Sequence, residues 1–285
     1  MVRYSGLDAR LGNLSTLAGP YNLELIGDVE DFEVLGQGET VNVPNLGNAY
    51  LTGLTMGKVR PQLKFNYHPQ NTSYLHNYLI VQTGGTLSGH NMAYYANSAD
   101  YGVIFNCKPS TVEVSFAKNS PVMVRTTLYG TNWSTGLQTS TGNFSNAVSS
   151  TEPMMSEQVT SVKIYDGATL IRNYTDLWRR GSFTIDYKTE QTFTGTDLTP
   201  SDVLEGVREI KGTLELSVNE STKLMSYVTN GSVLNLEIGF QCAPMSSCYC
   251  FLSSIIRANT VQVPGTDVQR QRLEWATRYV TRSSM

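Results

Sequence analysis

Metal or nucleophilic chemistry in this chain would have to rest on four cysteines and three histidines. Cys248-Tyr249-Cys250 puts two thiols on one face of a strand, with Cys242 close by and Cys107 far away. A structural zinc site needs two such pairs, or one pair with closely spaced histidines. His68, His76 and His90 lie far from the cluster, so the thiols read as buried apolar side chains. They are also too few and too clustered for a disulfide framework. Gly84-Gly85-Thr86-Leu87-Ser88-Gly89-His90 brings a serine and a histidine together in a glycine-rich stretch. It is not a GxSxG elbow, and neighbours this close cannot reach the serine–histidine geometry, so the stretch reads as a flexible loop. With no Walker loop, HExxH or GxGxxG, no catalytic, cofactor or metal residue is assigned and no cofactor is expected. The sequons beginning at Asn13, Asn71, Asn132, Asn143, Asn173, Asn219 and Asn230 reflect composition.

What positions these residues follows from composition and period. A length of 285 residues fits two domains better than one. Charged residues make up 16% of the chain, where about 25% is usual. Thr, Ser, Asn, Gly and Tyr take their place, which points to an all-β protein rich in turns. Disorder needs high charge and few aromatics, and the composition opposes both. A net charge of −3 leaves no basic footprint for tight DNA binding. No apolar window approaches the ~20 residues of a membrane helix, so no membrane is expected. The start, Met1-Val2-Arg3-Tyr4, lacks the apolar core of a secretory leader, which predicts a protein made in the cytoplasm.

Two segments repeat one order of elements. Val59 to Tyr67 alternates apolar and polar residues, and after Pro69 and Gln70 a short helix follows with Tyr74, Leu75, Tyr78 and Leu79 in one stripe. Asn71 or Thr72 caps that helix and Thr83-Gly84-Gly85 ends it. Ile210 to Val218 alternates in the same phase, Asn219 caps, Leu224, Met225 and Val228 form the stripe, and Asn230-Gly231 terminates. Leu63, Phe65 and Tyr67 match Leu214, Leu216 and Val218 at an offset of 151 positions. The same offset matches Phe32 with Phe183 and Val34 with Ile185, while Thr111 and Val112 match Thr260 and Val261 at 149. The expected fold is mainly β: two tandem β-sandwich units, each with one short α-helix. The Ser-, Thr- and Gly-rich run from Gly130 to Pro153 reads as a linker, and the boundary falls near 145. Residues 1–145 then form the first unit, with an acidic N-terminal arm, and 146–285 the second. Leu273, Trp275, Thr277 and Tyr279 alternate, and correspondence with Pro121 to Tyr129 favours a strand there over a helix.

Gly206-Val207-Arg208-Glu209-Ile210-Lys211-Gly212-Thr213-Leu214-Glu215-Leu216, with Leu224-Met225-Ser226-Tyr227 close behind, resembles the second repeat of tail tube proteins from long-tailed phages and related viruses. Lys108 to Phe116, Ser120 to Val124 and Tyr129-Gly130 resemble the strand pair that closes the first repeat. The resemblance covers about residues 25 to 280, and Gly84 to Tyr101 has no counterpart in it. It implies a structural virion protein without enzymatic activity. Such a protein is assembled in the host cytoplasm and located in the virion tail, where it polymerises into stacked ring-shaped β-barrels around a channel for genome ejection. Two units per chain imply a trimeric, pseudo-hexameric ring, with a hexameric ring as the alternative. The implied partners are further copies of the chain, a tape measure protein, a tail terminator, and DNA in transit.

Charge is sorted along the chain. Residues 11 to 57 hold Glu24, Asp28, Glu30, Asp31, Glu33 and Glu39 and no Lys or Arg. Residues 257 to 282 hold Arg257, Arg270, Arg272, Arg278 and Arg282 against Asp267 and Glu274. Opposite charges on one chain suit a head-to-tail contact, so Glu24, Asp28, Glu30 and Asp31 are expected to meet Arg257, Arg270, Arg272 and Arg278 between stacked rings. Arg60, Gln62, Lys64, Asn66, Lys211, Thr213, Glu215 and Ser217 are the candidates for the channel wall, where a neutral or mildly acidic surface lets DNA slide. Two other readings fit a two-domain β protein. One is a carbohydrate-binding adhesin using Trp133, Trp178 and Trp275, and the other is the inner tube of a contractile injection system.

Overall fold

Apolar–polar alternation turns directly into layers. In the computed structural model Leu63, Phe65 and Tyr67 are buried while Lys64 between them is exposed, and Leu214 and Leu216 are buried on either side of the half-buried Glu215. The structure describes residues 2–5, 10–14, 23–43, 53–70, 74–97, 100–135, 159–217, 226–242, 245–262 and 270–284. In the N-terminal half the strands are β1 Val2–Ser5, β2 Arg10–Leu14, β3 Leu23–Leu25, β4 Gly27–Val43, β5 Gly53–Pro69, β6 His90–Asn97, β7 Asp100–Ala117, β8 Met123–Tyr129 and β9 Asn132–Thr135. A helical turn, α1 Leu75–Leu79, lies between β5 and β6. The C-terminal half holds β10 Val159–Asp166, β11 Thr169–Asn173, β12 Trp178–Asp186, β13 Glu190–Thr192, β14 Asp202–Leu204, β15 Glu209–Ser217, β16 Val233–Cys242, β17 Met245–Gln262, β18 Arg270–Thr277 and β19 Tyr279–Ser284.

One antiparallel layer runs through the order β1, β4, β5, β8, β7, β12, β15, β18 and the end of β17. Among the described residues it stays open and does not close into a barrel. Across it, Tyr67, Val124, Val114, Phe183, Gly212 and Trp275 stand in register and form the buried side. Gly212 is required there, because a Cβ would come within 2.2 Å of the Trp275 ring. Against this side pack β3, β2, β6, the start of β7 and β9 in one half, and β11, β10, β16, the start of β17 and β19 in the other. Ring pairs join the layers: Phe32 with Tyr94, Phe116 with Phe240 and Phe183 with Phe251, at centroid distances of 6.0, 5.6 and 5.0 Å.

Two long strands change layer. β7 leaves β6 and β9 for β8 and β12 after Cys107, and β17 leaves β16 and β19 for β18 near Ile255. Left-handed residues mark both bends, Asn106 at φ 48° and Ser253 at φ 52°. At each bend a side chain bonds a carbonyl three residues back, Cys107 to Ile104 and Ser254 to Phe251. Register shifts beside them give the extra twist that such a bend needs.

Several expectations change. His90 is not in a flexible loop: it opens β6, is buried, and its Nε2 lies 2.8 Å from the Tyr74 hydroxyl. Most of Gly84 to Tyr101 is therefore β6 and the start of β7. Gly130 to Pro153 begins as β9; from residue 136 onward it lies outside the described residues, as does the expected boundary at 145. The leading strands do not keep the offset of 151: Val34 faces Leu63 whereas Gly181 faces Leu214, so Gly181 rather than Ile185 stands in the place of Val34. The first helix is a π-type turn closed by Ile80 N to Leu75 O at 2.7 Å, with Tyr74, Leu75 and Leu79 buried as the stripe requires. The caps Asn71, Thr72 and Asn219, with Leu224 and Met225, lie outside the described residues, although 226–229 is helical. Arg270–Thr277 is a strand, as the alternation of Leu273 and Trp275 requires.

Candidate assembly surfaces

The polar side of the long layer is a lattice of cross-strand partners. Asp31, Asn66, Arg125, Glu113, Thr184 and Lys211 stand in one row, each opposite the next. Another row runs Ala117, Arg180, Glu215, Arg272 and Thr260. Within and between these rows charges meet their opposites: Arg125 and Glu113 at 3.8 Å, Arg180 and Glu215 at 2.6 Å, Arg272 and Glu274 at 3.3 Å. Glu113, Arg125, Arg180, Glu215 and Arg272 line one open groove along this face.

Every expected wall residue except Arg60, which lies just past the last pairing of β5 with β8, stands on this layer. Lys64 is exposed, Asn66 donates to Asp31 at 2.7 Å, Thr213 and Ser182 share a 3.0 Å hydrogen bond, Lys211 meets Glu209 at 3.0 Å, and Ser217 accepts from Arg179. Gln62 faces Tyr129 across the strands, and Arg60 sits with its guanidinium 5.3 Å from the Phe193 ring.

The residues expected between rings fall into two places. Asp28 accepts from Gln70 at 2.6 Å, Glu30 is 3.0 Å from His68 Nε2, and Glu24 is exposed on β3. Arg270 opens β18 opposite Ser217, just as Gly27 opens β4 opposite Pro69. Since β4 and β18 run the same way, Arg270 and Arg272 stand at the same end of the strands as Asp28, on the face that carries Glu215. Arg257 and Arg278 are exposed at the opposite end. The structure thus brings Arg272 together with the wall residues and does not bring the acidic and basic sets together within the chain.

The join between the halves was not foreseen from sequence. β7 pairs β12 from Thr111 opposite Asp186 to Ala117 opposite Arg180. Over this seam folds the arm that connects β12 to β15 and carries β13 and β14. Its buried Gln191 donates to the carbonyls of Pro61 and Gly130 at 2.8 and 2.9 Å. Lys108 reaches Asp202 at 3.2 Å and the Val203 carbonyl at 2.6 Å. The Val203 N–H first, with Lys108 and Asn106 adding to it, holds the Asp202 carboxyl below its usual range. Tyr187 donates to Leu79 O at 2.7 Å and accepts from Val81 N at 3.0 Å, which satisfies the end of α1. Arg208 lies 4.7 Å from the Tyr187 ring and donates to Val81 O at 2.5 Å. Gly206-Val207-Arg208 carried the family signature, but nothing local in it shows that its arginine holds the other half.

Cys107 is buried and Cys250 half-buried, and no group of residues suited to a metal occurs among the described residues. Trp178 and Trp275 are buried, which withdraws them as sugar platforms, and Trp133 is 36% exposed beside Gly36.

Among curated proteins no sequence matches this chain. A family model described as phage tail tube protein matches residues 8–276, taking in both halves and the seam between them. On that match, and with a mainly β fold built on one long open layer, the chain belongs to the phage tail tube protein family, whose role is structural and lies in the virion tail.

Proposed function

We propose that this chain is the major subunit of a tail tube. Copies polymerise into stacked rings, and the polar side of the long layer lines the channel through which the genome leaves. The observation that carries this reading is the uninterrupted layer through both halves, with polar partners on one side and the core on the other. Further copies added edge to edge would remove its free edges and close it around an axis. Gln62, Lys64, Asn66, Lys211, Thr213 and Glu215 then form the wall with Arg270 and Arg272, and Arg60 and Ser217 stand at its margins.

Two tail-tube-like units per chain, and hence a trimeric pseudo-hexameric ring, gain support from register. Phe65, Thr126 and Val112 face one another across β5, β8 and β7, and Leu216, Gln271 and Val261 do so across β15, β18 and β17. The offsets of 151 and 149 read from the sequence thus describe one arrangement of three strands met twice. DNA in transit meets a wall where Arg125, Arg180 and Arg272 already have carboxylate partners, which weakens their grip on phosphate. Stacking sets the end bearing Glu24, Asp28 and Glu30 against the end bearing Arg278 in the next ring. Tape measure and terminator proteins would meet the wall and the last ring.

Negative-stain microscopy of the purified protein tests the reading. Filaments with regular ring striations and three-fold end views are expected. Six-fold end views would replace three chains per ring with six, and monomers under all assembly conditions would remove the tube.

A further inference from the structure

The seam between the halves has two ingredients, a strand edge met by another strand and an arm folded over the meeting place. Both ingredients occur a second time in the chain. From Ala258 to Gln262, β17 pairs β18 on one side and no other strand among the described residues. From Leu35 to Val43, β4 pairs β5 alone among them, since β1 covers only Asp31 to Val34. β4 and β5 also continue together past Gly36 and Pro61, beyond the last pairing of β5 with β8, as an arm that corresponds to the β13–β14 arm between β12 and β15.

Register makes the correspondence specific. Thr260 faces Arg272 as Thr111 faces Thr127, so Thr260 takes the place of Thr111. Gly181 takes the place of Val34, and counting on from them sets Glu39 in the place of Asp186, the residue opposite Thr111. Ala258, opposite Glu274, takes the place that Lys108 has opposite Tyr129, and the exposed Arg257 bulges beside it. Inside the chain this place meets the polar arm through Asn106, Lys108 and Asp202. At the second site two exposed side chains beside Arg257 are apolar: Val233 and Ile255, directly opposite each other, are 52% and 48% exposed. The sequence of the β4–β5 arm matches that change. Between Gln37 and Gly57 its one charged residue is Glu39, among Val41, Val43, Leu54 and Met56.

We infer that the edge of β17 and the Val233–Ile255 patch receive β4 and the β4–β5 arm of a second copy of this chain, with Thr260 opposite Glu39. The contact is lateral, within one ring, and repeats between chains the seam that β7 and β12 form within one. It rests on the tube reading above.

Residues directly opposite on antiparallel strands have Cα atoms about 4.5–5.5 Å apart, within disulfide reach. A chain carrying both Glu39→Cys and Thr260→Cys is therefore expected to form covalent dimers and trimers on mild oxidation of assembled protein. Either single variant serves as the background for the native thiols. Independently, Ile255→Asp should raise the concentration needed for assembly about tenfold, since an aspartate is desolvated on docking, while its unfolding midpoint stays put. Filaments that form normally from both variants with no interchain disulfide above background would overturn the lateral contact and leave the tube standing. Failure of the unmodified chain to assemble would remove both.

Discussion

The arm from Tyr187 to Arg208 and the arm built by β4 and β5 beyond Gly36 leave the same layer at comparable places, yet they are held differently. The first is fixed to the other half by Gln191, Lys108, Tyr187 and Arg208. The second is a two-stranded ladder that, among the described residues, touches the first arm only near its base, where Val59 N donates to Leu198 O at 2.7 Å and Lys58 and Arg60 lie over the Phe193 ring. Polar side chains secure the contact made inside the chain, whereas the open site offers an apolar pair in Val233 and Ile255. A contact formed once, at folding, tolerates specific buried hydrogen bonds. A contact formed between chains gains more from apolar area, which is non-directional and allows approach before registry is reached.

Breaking the closed seam should cost most. Phe183 is buried, faces Val114 across the seam and packs on Phe251, so Phe183→Ala should destabilise the chain by about 3–5 kcal/mol in urea unfolding. Thr260→Ala, at the corresponding open edge, should change the isolated chain by less than about 0.5 kcal/mol.

The next effect comes from pH. Burial lowers His90 from its ordinary 6.5 to about 4. Between those values the unfolded chain binds the extra proton, so stability is full above the unfolded pKa and falls as pH drops toward 4. The loss amounts to about 3 kcal/mol, and His90→Gln should flatten that slope in unfolding measured from pH 7 to 4.

Gln191→Ala tests the clasp. It leaves the Pro61 and Gly130 carbonyls without their donor, and a loss of about 1–3 kcal/mol is expected, read as earlier hydrogen exchange at the ends of β5 and β8. The smallest effect belongs to the polar face. Arg180 is well exposed, so Glu215→Gln should cost less than about 1 kcal/mol in unfolding. The same change frees Arg180 toward the channel, so DNA retention by assembled tubes should rise at low salt if this face is the wall.

Much of the layering was legible residue by residue. The alternation in Val59 to Tyr67 and Ile210 to Val218 set which side is buried, because successive strand residues point to opposite faces whatever the partner. The stripe of Tyr74, Leu75 and Leu79 marked a helical turn in the same local way, and Leu273 with Trp275 marked β18. Thr111 and Thr260, matched in the sequence at an offset of 149, face Thr127 and Arg272 on the neighbouring strands.

Partner choice was not legible, since it depends on residues far apart in sequence. Nothing local in Gly84 to His90 shows that His90 ends under Tyr74, because its glycines look the same at a loop tip and at the entry to a buried strand. Charge sorting along the chain suggested that the acidic and basic segments stand apart. Antiparallel packing put the starts of β4 and β18 at one end instead, and set Arg272 opposite Glu215. By itself the sequence determined the faces, the turns and the family. Only tertiary structure decided that β7 meets β12 and that an arm closes over them, because strand edges are chemically alike and long-range packing alone selects which of them meet.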